Sequence, residues 1–281
     1  MSGPIAVVTD STAYLPTELA TSEQVRVVPV RVVIGGSAYD ETTGVSAADV
    51  ADALRRWAPV TTSRPSPQAF LTTYNELAAN GAQGIVSIHL SADMSGTVGS
   101  AQLAAGEASI PVRVIDSRSI GMAMGYAVIA AAEVARDGGS LDDVVAIAEK
   151  RAGMSSAIFY VDTLDYLRRG GRIGAAAAMF GSALAVKPLL HVADGRIEPM
   201  EKVRTAARAL SRLEEIGVER AGSGTVDLAV HHLASPARAQ QLADRLRVRV
   251  PGVRELMVSE VGAVVGAHVG PGMVGLAIAP V

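Results

Sequence analysis

The stretch Gly84-Ile-Val-Ser-Ile-His-Leu-Ser-Ala-Asp-Met-Ser-Gly-Thr97 holds two kinds of sequence side by side. Residues 84–90 are a short, nearly continuous apolar run, as expected of a strand covered on both faces. Hydroxyls, an aspartate and a glycine then take over, and Ser95-Gly-Thr97 stands where a helix is expected to start. A strand that hands over to a helix through such a turn is half of a βαβ unit, and repetition of that unit gives a mostly parallel sheet. Comparable β-branched runs lie at residues 5–9, 25–34 and 112–116, with Ala-rich helical patterns between them. Helix starts are marked by Ser46 with Asp49, by Ser66 before Pro67, and by Ser140 with Asp143, which are capping spacings.

A second α/β unit is expected from residue 156. Residues 157–161 read as a strand, and 186–192 and 196–203 flank an Asp194-Gly195 turn in the manner of a hairpin. A helix at 205–216, a strand at 225–231, a helix opened by Ser235-Pro236, a strand at 253–259 and a terminal strand at 274–279 continue the alternation. The expected fold class is α/β with two domains, residues 1–155 and 156–281, the first with a mostly parallel sheet and the second with a mixed one. The Met154-Ser-Ser156 step is the composition break that sets this boundary.

Composition narrows the chemistry. The chain has 281 residues, 49% of them apolar, enough for a sizeable core. Lys and Arg number 25 against 28 Asp and Glu, a net charge of -3, so no broad cationic field exists for nucleic acid, and none is expected as a partner. The absence of cysteine excludes a disulfide framework, a thiolate nucleophile and a Cys-based zinc site. The five histidines show no i, i+4 pair and no attached acidic cluster, so no metal site is expected. No basic segment followed by an apolar run opens the chain, and a cytoplasmic location is expected. Residues 261–281 are uncharged and long enough to cross a bilayer, but Gly262, Gly266, Gly270, Pro271, Gly272 and Gly275 would break a membrane helix. No integral membrane segment is expected.

Four stretches place hydroxyls or glycines where strands give way to helices, the edge at which open sheets bind ligands. They are Val8-Thr-Asp-Ser-Thr12, Thr61-Thr-Ser-Arg-Pro-Ser-Pro67, Ser91-Ala-Asp-Met-Ser-Gly-Thr97 and Leu164-Asp-Tyr-Leu-Arg-Arg-Gly-Gly-Arg-Ile-Gly174. Each also has a plain structural reading as an Asx turn, a loop, a helix cap or a solvated arginine. Established enzyme signatures fail. No Walker A pattern occurs, and Asp93 rather than glycine stands two residues before Ser95, which removes the hydrolase elbow. Gly270-Pro-Gly-Met-Val-Gly275 fits the dinucleotide fingerprint literally, but no helix or following strand completes it. His268, within Gly266-Ala-His-Val-Gly-Pro-Gly272, is the favoured functional histidine, because its glycines are expected to leave the ring few close neighbours.

In order and spacing these motifs resemble the DegV family, which includes the lipid-binding subunit of bacterial fatty acid kinase. The matches are Val8-Thr-Asp-Ser-Thr12, Thr62-Ser-Arg-Pro-Ser66, Ser91-Ala-Asp-Met-Ser-Gly-Thr97, Val114-Ile-Asp-Ser117, Val161-Asp-Thr-Leu-Asp-Tyr-Leu-Arg-Arg-Gly-Gly-Arg-Ile-Gly174, Val186-Lys-Pro188 and His268-Val-Gly-Pro-Gly272. The resemblance implies two α/β domains with a long-chain fatty acid enclosed between or within them. It implies that Thr62 or Ser63 and Ser95, with Gly96 and Thr97, hold the carboxylate. Arg172 and His268 would lie close to the head group and assist phosphoryl transfer by a separate fatty acid kinase catalytic subunit. On this reading the chain needs no cofactor and does not turn over alone. The sequence departs from the family at Arg64, where glutamine is usual, at Val98, where tyrosine often follows Ser-Gly-Thr, and at Gly121 and Ala123 within residues 119–125. Two other readings stand beside it: an acyl hydrolase using Ser95 and His268, and a regulatory module whose lipid is structural.

Overall fold

The computed structural model describes residues 4–179 and 187–281. In chain order the strands are β1 (Ile5–Asp10), β2 (Arg26–Val28), β3 (Arg31–Ile34), β4 (Ser37–Asp40), β5 (Val60–Ser63), β6 (Gly84–His89), β7 (Val112–Asp116), β8 (Ser156–Tyr160), β9 (Lys187–Ala193), β10 (Arg196–Val203), β11 (Val226–His232), β12 (Val253–Glu260) and β13 (Val274–Pro280). The helices are α1 (Thr17–Ser22), α2 (Ala47–Arg55), α3 (Pro67–Ala79), α4 (Thr97–Ala105), α5 (Met122–Arg136), α6 (Leu141–Met154), α7 (Asp165–Arg169), α8 (Ala206–Ala221), α9 (Pro236–Arg249) and α10 (Ala263–Val269). Several start where the capping chemistry places them. Ser46 and Asp49 close a reciprocal capping box on α2. Ser140 and Asp143 do the same before α6. Ser66 accepts the Ala69 N–H just ahead of Pro67. Ser235 also precedes a proline but makes no side-chain cap.

Two compact units result, Met1–Arg31 with Ser63–Met154, and Val32–Thr62 with Ser155–Val281. In the first, the sheet order is β2-β1-β6-β7 and every pairing is parallel. Strand alternation sends Val7, Val86 and Ile88 into a cluster with α5 and α6, and sends Val8 and Ile85 into another with Phe70, Tyr74 and Ala101 of α3 and α4. This two-sided burial is what the near-continuous apolar runs demand. From β1 the chain steps outward to β2 on one side and later returns to β6 on the other. The carboxyl ends of β1 and β6 therefore flank the point where strand order reverses, the usual ligand crevice of an open sheet.

The second unit carries a mixed sheet of order β10-β9-β8-β13-β11-β12, in which only the β11–β12 pairing is parallel among the described residues. β9 and β10 form the expected hairpin, with positive φ at both Asp194 and Gly195, as a tight primed turn requires. Leu213, Ile216, Leu242 and Leu246 of α8 and α9 pack with Leu228, Val230 and Leu276 of the sheet.

The division of the chain departs from a single cut at residue 155. Val32–Thr62 joins the later unit because α2 packs on α10 and the Glu41 carboxylate accepts the Val264 N–H at 2.7 Å. The expected strand at 25–34 is two strands, since Pro29 has no N–H to donate to a ladder, and β3 pairs in a separate sheet of order β4-β3-β5. Residue 186, the first of the expected strand 186–192 and of the Val-Lys-Pro motif, lies outside the described residues. The uncharged run at 261–281 forms α10 and then β13, which sits between β8 and β11. Among the described residues no helix is long and apolar enough to cross a membrane.

Candidate functional site

In the first unit, Ser87 and His89 alternate with Ile85 on the face of β6 that meets α3, so the strand's own periodicity buries both polar groups. His89 Nδ1 meets Asp10 Oδ2 at 3.0 Å, and Nε2 meets Ser87 Oγ at 2.7 Å. Ser87 Oγ meets the Tyr74 hydroxyl at 2.8 Å. Asp10 Oδ2 also accepts the Leu90 N–H at 3.1 Å, while Oδ1 accepts the Thr12 N–H at 3.0 Å and its hydroxyl at 2.5 Å. A carboxylate offers acceptors only, so His89 Nδ1 carries a proton. Burial pushes the Tyr74 phenol up to about 12, against a smaller opposing effect of its Ser87 bond. The atom order serine, histidine, aspartate is that of a hydrolytic triad, but Ser87 is completely buried and no substrate carbonyl reaches it.

From Leu90 the chain enters the hydroxyl-rich turn. The Ser91 carbonyl accepts the Met94 and Ser95 N–H groups at 3.0 Å each, and Ser91 Oγ accepts the Asp93 N–H at 3.2 Å. Ser95 Oγ meets Thr97 Oγ1 at 2.8 Å, and Gly96 is the N-cap of α4 with no side-chain cap bond. The Arg64 side chain lies over Gly96, filling the space that a Cβ would take. This departure from the family pattern thus sits against the Ser95–Thr97 turn.

In the second unit, the two glycine-containing motifs interlock. The His268 imidazole occupies the place of a Cβ on Gly170, the Tyr166 ring that on Gly270, and the Asp162 carboxylate that on Gly272. Arg172, exposed, donates from Nη1 to the Gly170 carbonyl at 2.7 Å. His268 Nε2 meets Thr62 Oγ1 at 2.9 Å, whereas Nδ1 is shielded from solvent and has no partner among the described residues. Burial, and secondarily the Arg172 charge, pull the His268 pKa down to about 4, so the ring is neutral at neutral pH and carries one N–H. Nδ1 faces the Gly170 Cα, whose C–H can meet a lone pair but not another hydrogen. The N–H is therefore assigned to Nε2, donating to Thr62 Oγ1, and the Thr62 hydroxyl keeps its own proton for a further acceptor. Beside this motif, Arg55, Asp162, Ser235, Arg238 and Gly272 line an open cleft of about 530 Å³, whose charged lining suits a polar group better than an alkyl chain.

One expectation about these residues holds and one changes. Thr62 and Ser63 end β5 shortly before α3, where a strand gives way to a helix. His268 does not stand free among glycines: it is on α10, and the glycines bring Gly170 and Tyr166 close instead of keeping neighbours away. Of the residues singled out, Thr62, Arg172 and His268 belong to the second unit, and Ser63, Ser95, Gly96 and Thr97 to the first. Asp10, inside the Val8–Thr12 stretch, and His89, one of the five histidines, are not among the expected site residues. Their signal was the pair of polar residues Ser87 and His89, two apart on a strand buried on both faces, where each must find a partner.

A parallel α/β unit with hydroxyl-rich strand ends, followed by a mixed-sheet unit with interlocked glycine motifs, defines the class of fold. The family model described as "Uncharacterised protein, DegV family" matches residues 4–281. The chain belongs to the DegV family. A DegV domain-containing protein of Streptomyces coelicolor is 59% identical over 278 residues, which cover 99% of this chain and 99% of that one. Among solved structures, a fatty-acid-binding DegV family protein from Thermus thermophilus superposes with a TM-score of 0.93 at 34% identity, covering 99% of this chain and 100% of that one. DegV, a fatty acid binding protein from Bacillus subtilis, gives 0.91 at 34% identity over 100% of both chains.

Proposed function

We propose that the protein binds a long-chain fatty acid, holds its carboxylate on the hydroxyls of Thr62, Ser63, Ser95 and Thr97 and the Gly96 backbone, and presents it to a separate kinase. The observation that carries this reading is the likeness, along the whole chain, to the Thermus and Bacillus proteins that bind fatty acids. A sixteen-carbon acid offers about fifteen methylenes at roughly 0.8 kcal/mol each, so the tail supplies most of the gross binding energy and the head group sets orientation. Neutral hydroxyl donors hold a carboxylate without the bidentate grip of an arginine fork, which leaves an oxygen free to react. The proton that His268 leaves on Thr62 suits an acceptor of this kind.

In the kinase step, a carboxylate oxygen takes the terminal phosphoryl group of ATP, giving acyl phosphate and ADP. The exposed Arg172 guanidinium would stabilise the charge that develops, and the neutral His268, whose one N–H is on Thr62, would act through that hydroxyl. The ATP-dependent partner places the system in the cytoplasm, and the chain alone would not turn over. Lipid extracted from the purified protein and weighed by mass spectrometry tests the binding half, with about one fatty acid per chain expected. A reconstituted assay with a cognate kinase and ATP tests the transfer half. Acyl phosphate formed at the normal rate by both Arg172→Ala and His268→Ala would remove the transfer role.

A further inference from the structure

We propose that the buried Asp10–His89 pair is a positioning unit for the Ser91–Ser95 turn, and that it sets the preference for an acid over a neutral head group. The inference rests on the lipid-binding reading and adds a role for two residues that cannot touch the lipid. Both are completely buried, at the carboxyl ends of the adjacent strands β1 and β6.

The connection runs through one oxygen. Asp10 Oδ2 accepts the N–H of Leu90, the residue before Ser91, and Ser91 in turn holds the N–H groups of Asp93, Met94 and Ser95. The backbone that presents Ser95 and Thr97 is thus anchored at Leu90 by the Asp10 carboxylate, at Ser91 by the Ser119 carbonyl and at Ala92 by the Asp116 carboxylate. Of the two carboxylates only Asp10 is completely buried. That carboxylate is immobilised on both sides: Thr12 holds Oδ1 through two hydrogen bonds, and His89 Nδ1 holds Oδ2. The far edge of the His89 ring is fixed by Ser87, itself bonded to Tyr74, and the Phe70 ring meets it edge-on with centroids 4.9 Å apart. Buried polar pairs of this kind are often replaced by apolar residues without loss of stability, so stability alone does not account for one here. What it supplies is a fixed geometry at the point where strand order reverses.

A fatty alcohol shares the tail of the acid but not its charge, so the ratio of the two dissociation constants reports the head-group site and cancels tail burial. Asp10→Asn puts an amide N–H against either Thr12 or Leu90. His89→Gln keeps a nitrogen near the Ser87 end but loses the Asp10 bond, whereas His89→Asn keeps a nitrogen near Nδ1 for Asp10. The experiment is calorimetric titration of the delipidated full-length variants with hexadecanoic acid and with hexadecanol, at a temperature where each variant's melting curve shows it folded. Asp10→Asn and His89→Gln should lose the acid preference by about tenfold or more, as expected for disturbed hydrogen bonds to a charged group. His89→Asn should stay within about threefold of the wild type. The two His89 variants decide the matter should Asp10→Asn fail to fold. If they behave alike, or if every variant weakens acid and alcohol equally, the pair is only structural and the proposal is overturned. If the wild-type protein binds neither ligand, the lipid-binding reading falls with it.

Discussion

His89 in the first unit and His268 in the second each meet a hydroxyl through Nε2, and they differ in what stands at Nδ1. At His89 it is a carboxylate, and the polar neighbours from Tyr74 to Thr12 are paired in a closed, buried circuit. At His268 it is a glycine Cα, with an arginine near enough to help keep the ring neutral. One histidine completes a network, while the other leaves Thr62 with a proton still to give. Thr62 is only partly buried, so that proton is open to water or to a ligand.

The largest expected effect tests the closed circuit. Asp10→Ala leaves the Leu90 and Thr12 N–H groups and the His89 Nδ1 proton buried without an acceptor, and should cost about 3–5 kcal/mol in urea unfolding, a large share of a typical stability of about 5–15 kcal/mol. A loss below about 1 kcal/mol would mean that the circuit relaxes or takes in water.

Next comes the acid response of the open cluster. Burial lowers the His268 pKa to about 4, whereas an unfolded histidine titrates near 6.5. As pH falls below about 6.5 the unfolded chain takes up a proton that the folded chain refuses until about pH 4, so stability drops across that window and levels off beneath it. His268 contributes on the order of 3 kcal/mol to this fall. Burial lowers His191, His231 and His232 as well, all in the second unit. Unfolding free energies at pH 7 and pH 4 should therefore converge partly in His268→Gln, and an unchanged pH slope would contradict the neutral ring.

A smaller effect is expected at Gly170. The Cβ of Gly170→Ala would overlap the imidazole, and overpacking of this kind costs about 1–3 kcal/mol. The displaced ring should also lose Thr62, visible as a changed His268 side-chain resonance. Full stability with an unshifted resonance would show that the ring does not rest on Gly170.

Much of the first unit was legible because its signals are local. The apolar run at 84–90, the Ser140–Asp143 box and the Ser66-Pro67 start each depend on residues within a turn or two of each other. The features that escaped depend on distant partners. Residues 32–62 join the second unit through Glu41, which reaches 223 positions along the chain to Val264, and Thr62 meets His268 across 206. The stretch around His268 reads as irregular since glycine disfavours helix. The carboxylate of Glu41 on its first turn and Gly270 with φ +75 after its end nevertheless define α10. Asp10 looked like an ordinary turn aspartate, and it does cap Thr12, but its second oxygen serves His89 across 79 residues.

The most direct test of the account is calorimetry on delipidated protein titrated with hexadecanoic acid, for the wild type and for Ser95→Ala combined with Thr62→Val. The account predicts about one acid bound per chain with micromolar or tighter affinity, weakened by roughly tenfold or more in the double variant, which stays folded because Ser95 and Thr62 are both only partly buried. A stripped wild-type protein that takes up no fatty acid, or a double variant that binds as tightly as the wild type, would contradict it.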